Sequence, residues 1–292
     1  MMRPIRSATL LAALPLLLSA CSGSDAAQES AADSAPDAGA SADLASLQVV
    51  QVAGLDYSFD APAEVDAGWT TFQFANRGTE AHHLTLFRLE AGHTATDVVA
   101  AMQERRSLQG IATAVGGPNA PMPGAGANAT IHLTPGQYAL ICVVPSPDGV
   151  PHLFKGMVKP ITVRESPDRG AEPAADLQIT LVDYSFAVEG EVAAGERTIR
   201  AYNDSSATEP HEIVVARLAP GKTVEDVNNW IHAMEGPPPA EFLGGITALD
   251  PGRSGTFTIE FTPGEYALLC PLPSADGQAH THTGMMQQFT VQ

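Results

Sequence analysis

The stretch "YALICVVPSPDGVPHLFKGM", Tyr138 to Met157, has a second version in the chain: "YALLCPLPSADGQAHTHTGM", Tyr266 to Met285. Both write Tyr-Ala-Leu-x-Cys, a Pro-rich turn, a His and a Gly-Met pair, 128 residues apart. Working outward, "LDYSF" (Leu55 to Phe59) returns as "VDYSF" (Val182 to Phe186). "NRGTEAHHLTLFRLEAGHTATDV" from Asn76 returns as "NDSSATEPHEIVVARLAPGKTVEDV" from Asn203. The offset drifts only between 127 and 129, which short loop changes explain. Such a period is far too long for a solenoid and indicates a tandem duplication of a whole domain. The copies occupy residues 47–165 and 176–292, with a Pro/Ala linker, "SPDRGAEPAA", over 166–175.

Within each copy, short runs rich in Val, Ile, Thr, Tyr and Phe alternate with Gly, Pro, Asn and Asp turns, the pattern of an all-β sandwich. In the first copy the clearest strands are "TFQFAN", "HLTLFRL", "ATIHLT", "YALICVV" and "MVKPITV". One helix interrupts each copy. Thr94 with Asp97, and Thr223 with Asp226, are placed as capping boxes, and apolar residues follow at helical spacing for core packing.

The first 21 residues read as an export signal: Arg3 and Arg6 precede a short apolar run that is too short to span a bilayer comfortably. Its end, "LSAC", resembles a bacterial lipoprotein junction with Cys21 as the lipidated residue. Residues 22–46 carry five acids and no base, the composition of a flexible tether. These features imply an exported protein held to a membrane by a lipid anchor, in the periplasm or at the cell surface. The net charge is −18, of which eleven fall in residues 176–292. Without a basic patch, nucleic-acid binding is excluded. An acidic second domain could steer a basic redox partner such as a c-type cytochrome.

Beyond Cys21 there is a single thiol per copy, Cys142 and Cys270. In an oxidising compartment they either bridge the copies or are each held by something else. Comparison of the copies narrows this. Of the nine His, only His82 with His211, and His152 with His280, coincide. His83 meets Glu212, His93 meets Lys222, His132 meets Glu260, His232 meets Gln103 and His282 meets Phe154. Cys142 matches Cys270, and Met157 matches Met285. Core packing has no reason to duplicate two His and a Cys together, whereas a trigonal His₂Cys copper site with a weak axial Met requires this set.

Here each copy resembles a cupredoxin, the family of plastocyanin and azurin. "NRGTEAHHLTLF" resembles the Asn-containing strand that leads to its first His ligand, and "PGQYALIC" and "PGEYALLC" resemble its Cys strand. "CVVP", "CPLP" and "HLFKGM" resemble parts of its closing loop. The resemblance implies two tandem Greek-key β-sandwiches, each with one inserted helix and one copper. His82, Cys142, His152 and Met157 would form one ligand set, and His211, Cys270, His280 and Met285 the other. It also implies one-electron transfer through Cu(I)/Cu(II), with a His edge exposed to admit the electron.

One departure matters. Nine residues separate Cys from His in both copies, where the family has only a few. The excess, "SPDGVP" and "SADGQA", carries Asp-Gly turn signals, so the excursion can leave and return. If it does, the ligand atoms must lie within roughly 4 Å of one another. If His152 or His280 lies far from its Cys, a metal-free module remains, with the Cys buried as a small apolar residue. His82 and His83 face opposite ways on a strand, and the copy comparison favours His82. His282 competes with His280 by proximity alone. A copper oxidase or nitrite reductase would need a Cys-His pair and further matched His, but Val143 and Pro271 follow the two Cys. A dinuclear copper centre would need a second Cys in each copy. The reading is a carrier, not an enzyme; the alternative is a protein that sequesters or delivers copper.

Overall fold

The computed structural model describes residues 46–292 apart from 168, 207 and 208. The expected leader, the lipidated Cys21 and the tether up to residue 45 lie outside the described residues. The first copy runs β1 (Gln48–Leu55), β2 (Ser58–Asp60), β3 (Glu64–Asp66), β4 (Gly68–Asn76), β5 (Thr85–Leu89), helix α1 (Ala95–Gln103), β6 (Ala112–Ala114), β7 (Gly126–Leu133), β8 (Gly136–Ile141) and β9 (Val158–Arg164). The second runs β10 (Leu177–Val182), β11 (Ser185–Glu189), β12 (Gly195–Asn203), β13 (His211–Leu218), helix α2 (Val224–Ala233), β14 (Ala240–Leu249), β15 (Ser254–Phe261), β16 (Gly264–Leu269) and β17 (Met286–Val291).

Alternation builds the sandwich. Along β4, Thr70, Phe72, Phe74 and Asn76 turn inward while their neighbours face outward, the period-2 signature of a sheet with one buried face. Strand β8 breaks the alternation, burying Tyr138, Ala139, Leu140 and Ile141 in succession. Both of its faces are covered. Tyr138 and Leu140 enter the core between the sheets, whereas Ala139 and Ile141 pack with Phe87, Leu89 and Val98 of α1. Helix α2 repeats this with Val227 over Ala216, Ala267 and Leu269. Both helices open on the expected capping boxes, Thr94 with Asp97 and Thr223 with Asp226. The Tyr of each Tyr-Ala-Leu is structural: the Tyr138 hydroxyl donates to the Thr134 carbonyl at 2.9 Å, and Tyr266 to Thr262 at 2.8 Å.

The copies share one sheet. Its order is β11-β10-β12-β15-β7-β4-β1-β2, and β15 and β7 join the halves. At that seam Asn128 imitates a strand, donating to the Thr258 carbonyl and accepting from the Thr258 N–H, both at 2.9 Å. The opposing layers are β3-β9-β8-β5-β6 in the first copy and β14-β13-β16-β17 in the second. Strand β14, the longer counterpart of β6, crosses to the first copy through bridges at Val115–Leu249, Pro118–Ile246 and Pro121–Leu243. Gly117 and Gly245 let each crossing segment run close to the backbone of its own copy. Their φ values are +147° and +121°, and a Cβ at either would overlap the carbonyl oxygen of Leu84 or Ile213. Sequence reading placed a linker between two sandwiches; the structure adds a backbone seam and a single core cluster that runs through both.

Candidate metal centres

The Cys strand, the His strand and the closing loop meet at one end of each sandwich. In the first copy Cys142 follows β8 directly and His82 precedes β5. The nine-residue excursion then leaves and returns as a small hairpin. Ser146 N–H donates to the Val150 carbonyl at 3.0 Å, Gly149 takes φ +78° at the tip, and His152 N–H donates to the Val144 carbonyl at 2.9 Å. A 3-10 turn over His152–Lys155 ends on Gly156 at φ +106°. That left-handed residue, which only glycine adopts freely, reverses the chain so that the Met157 carbonyl accepts from Cys142 N–H at 3.2 Å. The second copy does the same: Ser274 N–H to Gln278 at 2.8 Å, His280 N–H to Leu272 at 2.9 Å, Gly284 at φ +109° and Cys270 N–H to Met285 at 3.1 Å.

The excursion therefore does not separate Cys from His. His152 Nδ1 lies 3.4 Å from the Cys142 sulfur and 2.9 Å from His82 Nδ1. His280 Nδ1 lies 3.4 Å from the Cys270 sulfur and 3.0 Å from His211 Nδ1, and His211 Nδ1 is 4.0 Å from that sulfur. All six side chains are buried. Among the described residues, these are the two groups of three or more His, Cys, Asp or Glu whose donor atoms converge within 4.8 Å. Met157 and Met285 are fully buried in the same core as the cysteines. Each thiol is free, and each sulfur accepts a backbone N–H, from His83 or from Glu212, at 3.4 Å.

A cation fits this donor set. Asp56 Oδ1 and Glu80 Oε2 lie 2.5 and 2.9 Å from Nε2 of His82 and His152, so each ring gives its Nε2–H to a carboxylate. Both Nδ1 lone pairs then point at one spot beside a sulfur, an arrangement relieved only by a proton or a metal ion. Burial pushes the Cys142 thiol up to about 12 and raises Cys270 as well. Burial, then the charge of His280, pulls His211 down to about 4, and burial lowers His152 and His280 against the pull of Glu80 and Glu209. Without a metal the thiol keeps its proton, which a bound cation would displace.

These are cupredoxin-like domains. The Cys strand, the upstream His, the returning loop and its Gly-Met end stand together in both copies as in that fold. No family model matches the chain, and no curated protein matches it. Among solved structures it is similar to dithionite-reduced auracyanin from Roseiflexus castenholzii, at 28% identity over 39% of this chain and 94% of the other, TM-score 0.28. It is also similar to auracyanin A, a "blue" copper protein of Chloroflexus aurantiacus, at 16% identity over 41% and 100%, TM-score 0.30. A multicopper oxidase aligns at 15% identity over 84% and 89%, TM-score 0.24.

Three sequence readings need comment. His83 lies outside the donor group: it is buried, and its Nε2 accepts from Val143 N–H at 2.8 Å. His282 also lies outside, its exposed ring tilted at 36° against that of His232 with centroids 4.7 Å apart. The expected exposed His edge is corrected: His152 and His280 are both 0% exposed. Tyr57 and Tyr184 pack over them, centroids 4.9 and 5.2 Å away, and Glu80 and Glu209 close the outer nitrogens. Sequence reasoning passed over Asp56, Tyr57 and Glu80 with their counterparts Asp183, Tyr184 and Glu209. All three are matched between the copies, so the duplication itself carries the signal.

Proposed function

We propose that the chain is a copper protein that carries single electrons, with one mononuclear centre in each cupredoxin-like copy. The observation that carries this reading is the duplicated convergence of two imidazole nitrogens on a buried, unpaired thiol. His82, Cys142 and His152 would hold the first ion with Met157 as the weak axial ligand; His211, Cys270, His280 and Met285 would hold the second. Copper bound there supplies a Cu(I)/Cu(II) couple. The donor atoms are already gathered, so little has to move when the charge changes. Backbone N–H groups on each sulfur favour the thiolate, and the dry surround limits solvent rearrangement.

The ligands' burial favours a carrier over a copper-delivery protein, which has to release its ion to a partner. Val143 and Pro271, not His, follow the two cysteines, which favours a carrier over an oxidase. Export, a lipid anchor on Cys21 and a basic partner such as a c-type cytochrome belong to the same proposal, supported by the leader sequence and the acidic second copy. No helix among the described residues is long and apolar enough to cross a membrane.

The test is copper stoichiometry measured with the visible spectrum. Two ions per chain with an intense thiolate-to-Cu(II) band are expected. Cys142→Ser should remove the first copy's share of the colour, and Met157→Leu should mainly raise that centre's reduction potential. Colourless protein that takes up no copper under oxidising and reducing conditions would defeat the reading.

A further inference from the structure

In the first copy both imidazoles are held from behind by carboxylates, and those carboxylates are themselves anchored. Asp56 accepts from the Thr79 N–H at 2.9 Å and from the Thr79 hydroxyl at 2.6 Å, leaving its other oxygen for His82. Glu80 accepts from the Tyr57 hydroxyl at 2.7 Å and faces His152 with its second oxygen; its carbonyl is tied to the Asn76 side chain at 2.8 Å. Burial works against both charges. Even so, the Thr79 and His82 contacts hold Asp56 at about 2, and Tyr57 and His152 keep Glu80 below the usual range. Gly78 makes room: a Cβ there would overlap both Asp56 Oδ1 and His82 Nε2.

The second copy has a side chain at that position. The position of Gly78, two residues past the buried Asn, is Ser205, and each of these residues donates its N–H to that Asn. His280 Nε2 is 3.3 Å from Glu209, a looser approach than in the first copy. His211 Nε2 has no hydrogen bond, and Asp183 accepts from the Ser206 hydroxyl at 2.5 Å.

We propose that Asp56 and Glu80 are positioning residues that clamp both imidazoles of the first centre, and that this clamp gives the first centre the lower reduction potential of the two. The inference rests on the copper reading above. A carboxylate accepting from the far nitrogen of an imidazole makes the near nitrogen a stronger donor and fixes the ring, which favours Cu(II) over Cu(I). The greater net negative charge of the second copy acts in the opposite direction. Exposed charges are screened beyond about 8 Å, however, whereas the clamp is hydrogen-bonded to the ligands themselves.

The experiment has two arms on the full chain. In the metal-free protein at pH 8, ¹⁵N NMR of the histidine rings should show His82 and His152 as Nε2–H tautomers. In a Cys270→Ser background, where only the first thiolate remains, Cu(II) and Cu(I) affinities are measured separately by competition, and the potential by titration. Asp56→Asn and Glu80→Gln should each weaken Cu(II) binding roughly 10- to 100-fold with a smaller effect on Cu(I), raising the potential by about 59 mV per tenfold difference. Gly78→Ala, which keeps both carboxylates but wedges the Asp56–His82 pair apart, should act in the same direction. Folded variants with unchanged Cu(II) affinity and potential would overturn the clamp, as would Nδ1–H tautomers in the parent protein. If no copper binds but the tautomers are as expected and are lost in the variants, the clamp stands and the electron-carrier reading falls.

Discussion

Position 83 and its counterpart 212 show what one residue does beside an otherwise duplicated site. His83 is neutral and useful: burial drives it down to about 3, and its Nε2 accepts the N–H of Val143. In the second copy residue 271 is Pro, which has no N–H to give, and position 212 holds Glu instead of His. Glu212 is 4% exposed, its Oε2 has no partner, and burial pushes it up to about 8. A carboxyl raised on folding holds its proton longer in the folded chain than in the unfolded one. Stability is therefore lost as pH rises from about 4.5 through 8. Glu212→Gln should leave the metal-free protein little changed at pH 5 and stabilise it at pH 8, by on the order of a few kcal/mol. Thermal melts at the two values check this; an equal offset at both would sink it. Cys142 and Cys270 should alkylate as free thiols in metal-free, unreduced, denatured protein, and a peptide map joining them would contradict the site.

At the scale of elements, the closing loop carries the argument, and its glycines are not equivalent. Gly156 (φ +106°) turns the chain so that Met157 lies against Cys142. Gly149 (φ +78°) only tips the excursion, and at neither position would a Cβ meet anything within 4 Å. Either replacement by Ala forces a left-handed residue, at a cost of roughly 1–2 kcal/mol. Gly149→Ala should lower the thermal midpoint while leaving the copper spectrum unchanged. Gly156→Ala should cost as much and also shift the spectrum, because it moves Met157, the proposed axial ligand. Identical spectra in the two variants would mean that the 3-10 turn does not position Met157.

The whole molecule is organised around the seam between copies. Strands β7 and β15 continue one sheet, Asn119 donates to the Ile213 carbonyl at 3.0 Å, and Ile213, Ile246 and Leu249 belong to the same core cluster as Leu84, Leu86 and Val115. Burying apolar surface across the join couples the copies energetically. Calorimetry on the chain should show one cooperative transition, and Asn119→Ala, which removes a donor to the Ile213 and Ile246 carbonyls, should lower it or split it. Two independent transitions in the parent protein would show the seam to be weak. Lipid labelling tests the proposed anchor at the same scale: the parent chain should partition with membranes, and Cys21→Ser should be released or remain unprocessed.

The duplication, the sandwich class, both capped helices and the His and Cys donors were legible from sequence because they are local or periodic signals. Alternation reports a buried face, Thr-x-x-Asp reports a helix start, and two copies on one chain filter chemistry from packing without any relative to compare. Three things were decided only in three dimensions. The Asp-Gly excursion closes on itself because Val144 and Val150 carbonyls meet N–H groups several residues away. Asp56 and Glu80 reach the imidazoles from segments 26 and 72 residues distant in sequence from their partners, and no spacing rule encodes that. Finally, the segments that meet at the seam needed Gly117 and Gly245, where each passes close to the backbone of its own copy. A glycine in sequence announces a turn as readily as a close approach; only the packed chain, with a carbonyl of Leu84 or Ile213 against the missing Cβ, distinguishes them.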